Sequence, residues 1–292
     1  MKIYLDTNLW NLSCDQCIDA PPLLHTLQQR GNSLVLGIHA VYELAKTFYS
    51  DTEAAKQRGK SLFRHLHSYL SDGLRLVMKE TSETLAAEMY ELQRLPGSEK
   101  FLGADDLSKV CAEVQRLAAG ETSDLWRQHT TDRMRFAERT RAELRAHLAS
   151  RPELINKLKS VAASQLSTWL TTEATSHGAV IMLTGHIGES FPDAQTIELL
   201  QYAAELIRNP SSLIARAVVR ADLYCNWRCA NRGSNPPDLA DDLYHVLNAT
   251  YCDIYATDDR RQAEYACYIL PAGTQVAVYD RAVPLDNWLL SL

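Results

Sequence analysis

Short apolar runs alternate along this chain with longer stretches in which apolar residues recur at helical spacing. The short runs predict β-strands at residues 3–5, 33–38, 73–78, 253–257 and 274–280. The longer stretches predict helices, because their apolar residues fall on one face of a helix. Strands that alternate with helices form parallel sheets covered on both faces. The pattern therefore predicts an α/β fold with three layers, α/β/α, and a parallel central sheet.

The middle of the chain lacks strand signals. Residues 105–173 are rich in Ala, Leu, Arg and Glu, which predicts helices. Residues 176–193 contain three glycines and a proline, and we interpret them as a turn-rich connection. Pro21 and Pro22 predict a break in the first helical stretch. The predicted division is a first part of the α/β core at 1–94, a large all-helical insertion at 95–209 and a second part of the core at 210–292.

Composition limits the kinds of partner that the protein can have. With 292 residues, 46% of them hydrophobic, the chain can bury a substantial core. The net charge of −6 excludes a general polyanion binder, so any contact with nucleic acid needs a local basic surface. The most basic stretch offers five arginines for phosphate contacts: Arg133, Arg135, Arg139, Arg141 and Arg145. The alternative is an ordinary solvated helix face, on which Glu138 and Glu143 pair with these arginines.

The lack of recognisable targeting signals and the number of cysteines predict the cellular compartment of the protein. No apolar run approaches the ~20 residues that span a bilayer, and the first residues do not follow the pattern of a signal peptide. We therefore expect a cytoplasmic protein with no membrane partner, whose seven cysteines are reduced. Cys14 with Cys17, and Cys225 with Cys229, are a weak alternative as zinc ligands, because the same spacings mark one buried face of a helix.

The stretch IYLDTN places Asp6 where the first strand leaves the sheet. Capping of the following helix explains this aspartate locally. Other acidic residues also lie just after predicted strands. Glu43 comes after the second strand, and Asp258 and Asp259 follow the strand CDIYAT. Asp242 lies in the first turn of a late helix. Ligands of parallel sheets bind at the edge where the strands end, so these carboxylates are expected to converge there.

A divalent cation would explain such a cluster of negative charge. Carboxylates that converge raise one another's pKa unless a positive charge neutralises them. Ligands that are all oxygen suit Mg²⁺ or Mn²⁺, which bind a few carboxylates together with the oxygens of a phosphate. Such an ion activates water for attack on a phosphodiester. The sequence therefore indicates metal-dependent phosphate-ester chemistry.

Four motifs, in this order, resemble the PIN-domain nucleases: LDTN on the first strand, HAVYE after the second, DLYH on a late helix and TDD after the next strand. The resemblance covers roughly residues 1–92 and 236–280, and it leaves the helical middle outside. It implies a PIN-like core in which Mg²⁺ or Mn²⁺ is held by Asp6, Glu43, Asp242 and Asp259, with Asp258 as the alternative to Asp259.

The resemblance also implies roles for neighbouring residues. Asn8 would orient Asp6, and Thr257 lies at the family's Thr-x-Asp position. His245 would pack or form a hydrogen bond beneath the site. Two departures from the family pattern are His39, near a position where the family often has Ser or Thr, and the compact spacing between Asp242 and Asp259.

The family is mostly composed of ribonucleases, several of them toxins of toxin–antitoxin pairs. The resemblance therefore implies an endoribonuclease with an RNA substrate, and it leaves open a protein inhibitor and a homodimer as partners. A haloacid dehalogenase-like phosphohydrolase is an alternative, although it would need a second aspartate where Asn8 stands. A non-catalytic member of the fold that binds RNA or protein is the other alternative.

Overall fold

Five parallel strands form one sheet in the computed structural model, which describes residues 1–50, 52–122, 146, 150–233 and 239–292. The strands are β1 Lys2–Leu5, β2 Ser33–Gly37, β3 Leu76–Met78, β4 Ile254–Thr257 and β5 Gln275–Val278. Their order across the sheet is β3-β2-β1-β4-β5, so β1 pairs with β2 on one side and with β4 on the other. The predicted α/β class and the predicted parallel sheet are confirmed.

Fourteen α-helices accompany the sheet within the described residues. They are α1 Thr7–Asp15, α2 Ala20–Gln29, α3 Ile38–Ala45, α4 Glu53–Asp72, α5 Thr81–Leu92, α6 Ala104–Ala119, α7 Pro152–Lys159, α8 Leu166–Glu173, α9 His177–Ser190, α10 Thr196–Arg208, α11 Leu213–Arg232, α12 Leu239–Asn248, α13 Arg260–Ile269 and α14 Leu285–Ser291. Short 3₁₀ turns follow α3, precede α8 and follow α12.

The side chains of the strands alternate between two buried cores, one on each face of the sheet. Tyr4 and Tyr255 belong to one core, whereas Ile3, Leu5 and Ile254 belong to the other. Successive residues of a strand point to opposite faces, so strands that are apolar throughout require cover on both sides. The helices provide that cover, and the fold is consistent with the three layers that the sequence predicts.

The predicted insertion contributes to both faces. Helix α6 packs against α4 in the core that contains Ile3. Helices α7 to α10 contribute Leu158, Leu170, Leu183 and Leu206 to the core that contains Tyr4. Helix α11 joins them and packs against α5 and α13. The described helices of this segment therefore share their buried surface with the sheet, and the boundaries at 94 and 209 stay a prediction.

Glu88 links the first part of the core to α11. This buried side chain of α5 accepts hydrogen bonds from the backbone N–H groups of Ile214 (2.7 Å) and Ala215 (3.0 Å), both in the first turn of α11. The hydroxyl of Tyr251 donates a third bond to it. A carboxylate supplied by another helix thus satisfies N–H groups that have no partner within α11. Burial raises the pKa of Glu88 to about 7 despite these three bonds.

The predicted connection at residues 176–193 is wrong, because most of it forms α9. Ser176 caps the helix by accepting a bond from the N–H of Ala179. Leu183 and Ile187 are fully buried within the core. Glycine lowers helix propensity by only about 1 kcal/mol per residue, so the burial of an apolar face outweighs the glycines of α9.

The predicted break at Pro21 and Pro22 is also misplaced. Both prolines lie in the first turn of α2, where the missing N–H has no helical partner to lose. The chain instead turns before them, at Cys17, whose φ is 51°. Proline therefore marks the beginning of a helix here.

The basic stretch with its five arginines, Arg133, Arg135, Arg139, Arg141 and Arg145, lies outside the described residues. None of the seven cysteines forms a disulfide. Where the structure describes the chain, none of its helices combines the length and the apolar character needed to cross a membrane.

Candidate active site

Asp6 and Thr257 meet at the centre of the sheet edge where β1 and β4 end. Asp6 is completely buried and accepts a hydrogen bond from the N–H of Leu9 (2.8 Å), so it caps α1. Its second carboxylate oxygen accepts a bond from the hydroxyl of Thr257 (2.5 Å). Asp6 therefore both caps α1 and belongs to the candidate site.

The environment of Asp6 disfavours its ionised form. Burial raises its pKa to about 7, although the bonds from Thr257 and Leu9 act in the opposite direction. The negative charge of Asp258 raises the pKa further. A positive charge beside Asp6 would therefore stabilise this carboxylate.

The two aspartates of the TDD motif have different surroundings. Asp259 caps α13 by accepting a bond from the N–H of Arg261 (2.7 Å), and its own N–H donates to the Thr257 hydroxyl (3.0 Å). The side chain of Asp258 is only 7% exposed and forms an ion pair with Arg281. Asp258, the alternative ligand, is thus close enough to Asp6 to affect its pKa, whereas the carboxylate of Asp259 is held by its own helix.

Gln262 connects Asp242 to this centre. The Nε2 of Gln262 donates to the Oδ1 of the buried Asp242 (2.8 Å). Its Oε1 accepts from the hydroxyl of Tyr255 (2.8 Å) and lies 3.3 Å from the Oγ1 of Thr257. A line of polar contacts therefore runs from Asp6 through Thr257 and Gln262 to Asp242, in which the Thr257–Gln262 step is a 3.3 Å contact, because the one hydroxyl proton of Thr257 is donated to Asp6.

Glu43 reaches the same edge from α3 and pairs with His245 of α12. Its Oε2 accepts bonds from the Oγ1 of Thr7 (2.5 Å) and from the Nε2 of His245 (2.6 Å). Burial alone would raise the pKa of Glu43, but the bonds from His245 and Thr7 lower it to about 2. Burial lowers the pKa of His245, but Glu43, Asp6 and Asp241 together raise it above its ordinary value. The two side chains therefore form an ion pair.

Tyr4 holds the other side of the His245 ring. Its hydroxyl lies 2.9 Å from the Nδ1 of this histidine, and both residues are buried. The Tyr4 ring fits because residue 37 is a glycine, since a Cβ there would overlap the Tyr4 hydroxyl and lie 2.8 Å from Cε2.

Replacement of Gly37 tests this contact. Gly37→Ala should lower the free energy of unfolding by about 1–3 kcal/mol, because the added methyl group has to displace a fully buried ring. Urea unfolding measures the effect, with Gly273→Ala as the control, since a Cβ at Gly273 meets nothing within 4 Å. Equal stability of the two variants would show that Tyr4 moves aside at no cost.

His39 and Asp241 lie next to the ion pair. The ring centroids of His39 and His245 are 4.7 Å apart, and His39 is buried. Asp241 forms an ion pair with Lys46 (2.7 Å), and its Oδ1 lies 3.7 Å from the Nε2 of His39. His39, which departs from the family pattern, therefore lies at the candidate site beside the Glu43–His245 ion pair.

The predicted carboxylates share one sheet edge, but other groups separate them. The neutral side chains of Thr257 and Gln262 lie between Asp6 and Asp242, while Glu43 pairs with a histidine. Among the described residues, one set of three or more His, Cys, Asp or Glu residues has ligand atoms within 4.8 Å of one another: His39, Glu43 and His245. Asn8 is exposed, and Asp6 is oriented by Leu9 and Thr257 instead.

Thr7, Tyr4 and Gln262 belong to the site although the sequence did not predict them. Gln262 follows the capping residue Asp259 by three positions, a spacing that indicates a capping box. Its side chain instead reaches Asp242, on another helix. No local pattern marks Thr7 or Tyr4, because their partners lie on distant segments.

Comparison with known proteins identified no similar protein. The family models, the curated proteins and the solved structures that were searched each gave no match to this chain. The resemblance to the PIN-domain nucleases therefore depends on the four motifs and on the order of the elements that carry them.

Proposed function

We propose that this protein is a metal-dependent phosphodiesterase of the PIN-like class, and that its substrate is RNA. The observation that carries the proposal is the line of polar contacts from Asp6 through Thr257 and Gln262 to Asp242. Its members come from β1, β4, α13 and α12, which the fold brings to one sheet edge. Capping alone does not require acidic residues from such distant segments to meet there.

The residues at this edge have the donor chemistry that a hard divalent cation prefers, and the separated side chains would have to move together to share one ion. Asp6, Glu43 and Asp242 supply carboxylate oxygens, and Asp258 or Asp259 supplies a fourth. The raised pKa of Asp6 supports the fit, because the charge of this carboxylate lacks a compensating cation among its hydrogen-bonding partners. When bound, Mg²⁺ or Mn²⁺ would supply a water of lowered pKa and positive charge for the phosphate.

Other side chains of the chain have supporting roles in this proposal. Thr257 and the N–H of Leu9 fix both oxygens of Asp6, and Gln262 fixes Asp242. Thr7 and His245 hold Glu43 in its ionised form, which is the form that binds a cation. These contacts orient each carboxylate individually.

Three cations surround the acidic edge and suit the backbone of a nucleic acid. Lys46 pairs with Asp241, Arg261 with Asp259 and the largely exposed Arg281 with Asp258. A guanidinium group matches the oxygens of a phosphate and can contact it without reading the base. Each cation is paired with a carboxylate and the edge as a whole is acidic, so contact with a nucleic acid would also depend on the bound divalent ion.

The phosphohydrolase alternative uses the first aspartate as its nucleophile. Asn8 stands at the position of the second aspartate and cannot transfer a proton. The asparagine at this position favours attack by water.

A cleavage assay on single-stranded RNA with Mg²⁺ or Mn²⁺ tests the proposal. Cleavage should require the metal and should fall by about 100-fold or more in Asp242→Asn, because one charged ligand is lost. Asp253→Asn is the matched control, since Asp253 is exposed at the opposite end of β4, where it accepts a bond from the N–H of Lys2. Equal rates in the two variants would refute the assigned site.

Parallel reactions separate the alternatives. Single-stranded DNA reveals whether the 2′-hydroxyl of RNA is needed, and p-nitrophenyl phosphate reveals a phosphomonoesterase. RNA that is bound but not cut under any metal condition would favour the non-catalytic alternative.

A further inference from the structure

Two imidazoles and one carboxylate form a second set of metal-ligating groups beside the acidic edge. The ligand atoms of His39, Glu43 and His245 lie within 4.8 Å of one another. Two nitrogen ligands and one oxygen ligand suit a borderline ion such as Zn²⁺, whereas Mg²⁺ prefers oxygen alone. The set therefore differs in chemistry from the carboxylates Asp6 and Asp242.

We propose that His39, Glu43 and His245 bind Zn²⁺, and that zinc bound there inhibits the nuclease by withdrawing Glu43 from the Mg²⁺ or Mn²⁺ ligands. Zinc binding needs only these three side chains and the groups that orient them. The inhibitory effect rests in addition on the proposed function.

The contact that Nδ1 of His245 makes with Tyr4 supports a role for Nε2 as a zinc ligand. The Tyr4 hydroxyl lies 2.9 Å from Nδ1, which leaves Nε2 directed at Glu43. Zinc-binding histidines commonly have the other ring nitrogen fixed in this way by a hydrogen-bonding partner. The Tyr4 ring is buried against Tyr255, so its hydroxyl has little freedom to move.

The ion pair and the zinc site would use the same atoms. Nε2 of His245 and Oε2 of Glu43 are 2.6 Å apart with a proton between them. Zinc would replace that proton, which leaves to the solvent, and the two atoms would separate to about 3.4 Å, as in tetrahedral coordination. His39 supplies the third ligand, and a water completes the four.

Calorimetric titration of Zn²⁺ into the full chain, in excess Mg²⁺, tests the site. One zinc ion should bind, and His39→Asn should weaken binding by more than about 100-fold, because loss of a ligand exceeds loss of an outer partner. Tyr4→Phe should weaken it by about 10-fold to 100-fold, since only the orienting hydroxyl is lost. His25→Asn, an exposed histidine on α2, is the matched control and should bind as the wild type does.

Two further variants control for misfolding and for zinc capture by a thiol. His39→Gln keeps more of the side-chain volume and replaces His39→Asn if circular dichroism shows that the latter is unfolded. Cys17→Ser removes an exposed thiol that could bind zinc on its own. Zinc affinity that is equal in wild type and folded His39 variants, or that depends on Cys17, would overturn the site.

RNA cleavage measured with added zinc distinguishes a failure of the zinc proposal from a failure of the proposed nuclease function. Zinc should inhibit Mg²⁺-dependent cleavage by the wild type, and the His39 variant should require about 100-fold more zinc for the same inhibition. Zinc binding that depends on His39 without cleavage by any form of the protein would refute the nuclease and its inhibition, and leave the zinc site. Cleavage that zinc inhibits equally in both proteins would refute the inhibitory site and leave the nuclease.

Discussion

Asp6→Asn is expected to reduce metal-dependent RNA cleavage by about 10³-fold, because it removes several kcal/mol of charge stabilisation from the proposed metal site. The substitution keeps the size and shape of the side chain. Asparagine can still accept the bond from the N–H of Leu9 and can donate to Thr257. The loss of cleavage activity should therefore come from the lost charge and not from misfolding. Initial rates of RNA cleavage at saturating Mg²⁺ or Mn²⁺ measure it.

The stability of the same variant is an independent measurement. The pKa of Asp6 is raised to about 7 by burial, so the ionised side chain destabilises the fold at higher pH. In EDTA at pH 8, Asp6→Asn should be at least as resistant to urea as the wild type. A variant that is inactive and strongly destabilised would indicate that Asp6 has only a structural role.

Glu88→Ala is expected to lower the free energy of unfolding by about 3 kcal/mol or more, because buried donors lose their acceptor. The affected groups are the N–H of Ile214, the N–H of Ala215 and the hydroxyl of Tyr251. Urea unfolding measures the loss. Glu91→Ala is the matched control on α5, where the largely exposed carboxylate pairs with Lys100, and it should cost less than about 1 kcal/mol. Similar losses in the two variants would contradict the role of Glu88.

The pH dependence of stability offers a second test of Glu88. Its pKa in the folded protein, about 7, exceeds the ordinary value of 4.5 because burial disfavours the charge. The corresponding stabilisation is complete below about pH 4.5 and is lost as the pH rises through 7, by about 3 kcal/mol in total. Glu88→Gln cannot titrate and should lack this part of the pH dependence, as urea midpoints between pH 4.5 and 8 would reveal.

The sheet could be predicted from sequence because each strand is a short apolar run bounded by polar or turn residues. A strand buried on both faces leaves this signal whatever its neighbours are. Helix α9 left no such signal, since its three glycines resemble turn residues and its buried Leu183 and Ile187 stabilise it only through packing with other helices. Local propensity fails where tertiary contacts decide the outcome.

The placement of the candidate site residues could be predicted to the same extent. The acidic residues could be assigned to one edge because the ends of parallel strands share it, and Asp6, Glu43 and Asp242 lie there. Their partners could not be predicted, because the direction of a side chain depends on packing between distant elements. His245 shows this, since its place one turn after Asp242 is evident from the sequence, but its bonds to Tyr4 and Glu43 are not.

The pairing of β1 with β4 also determines when the site can exist during synthesis. Asp6 leaves the ribosome about 250 residues before Thr257 and Gln262. Until β4 and α13 have emerged, the nascent chain has no complete acidic edge. If the protein degrades RNA, each copy therefore cannot cleave its own messenger during the synthesis of the roughly 250 residues between Asp6 and Thr257.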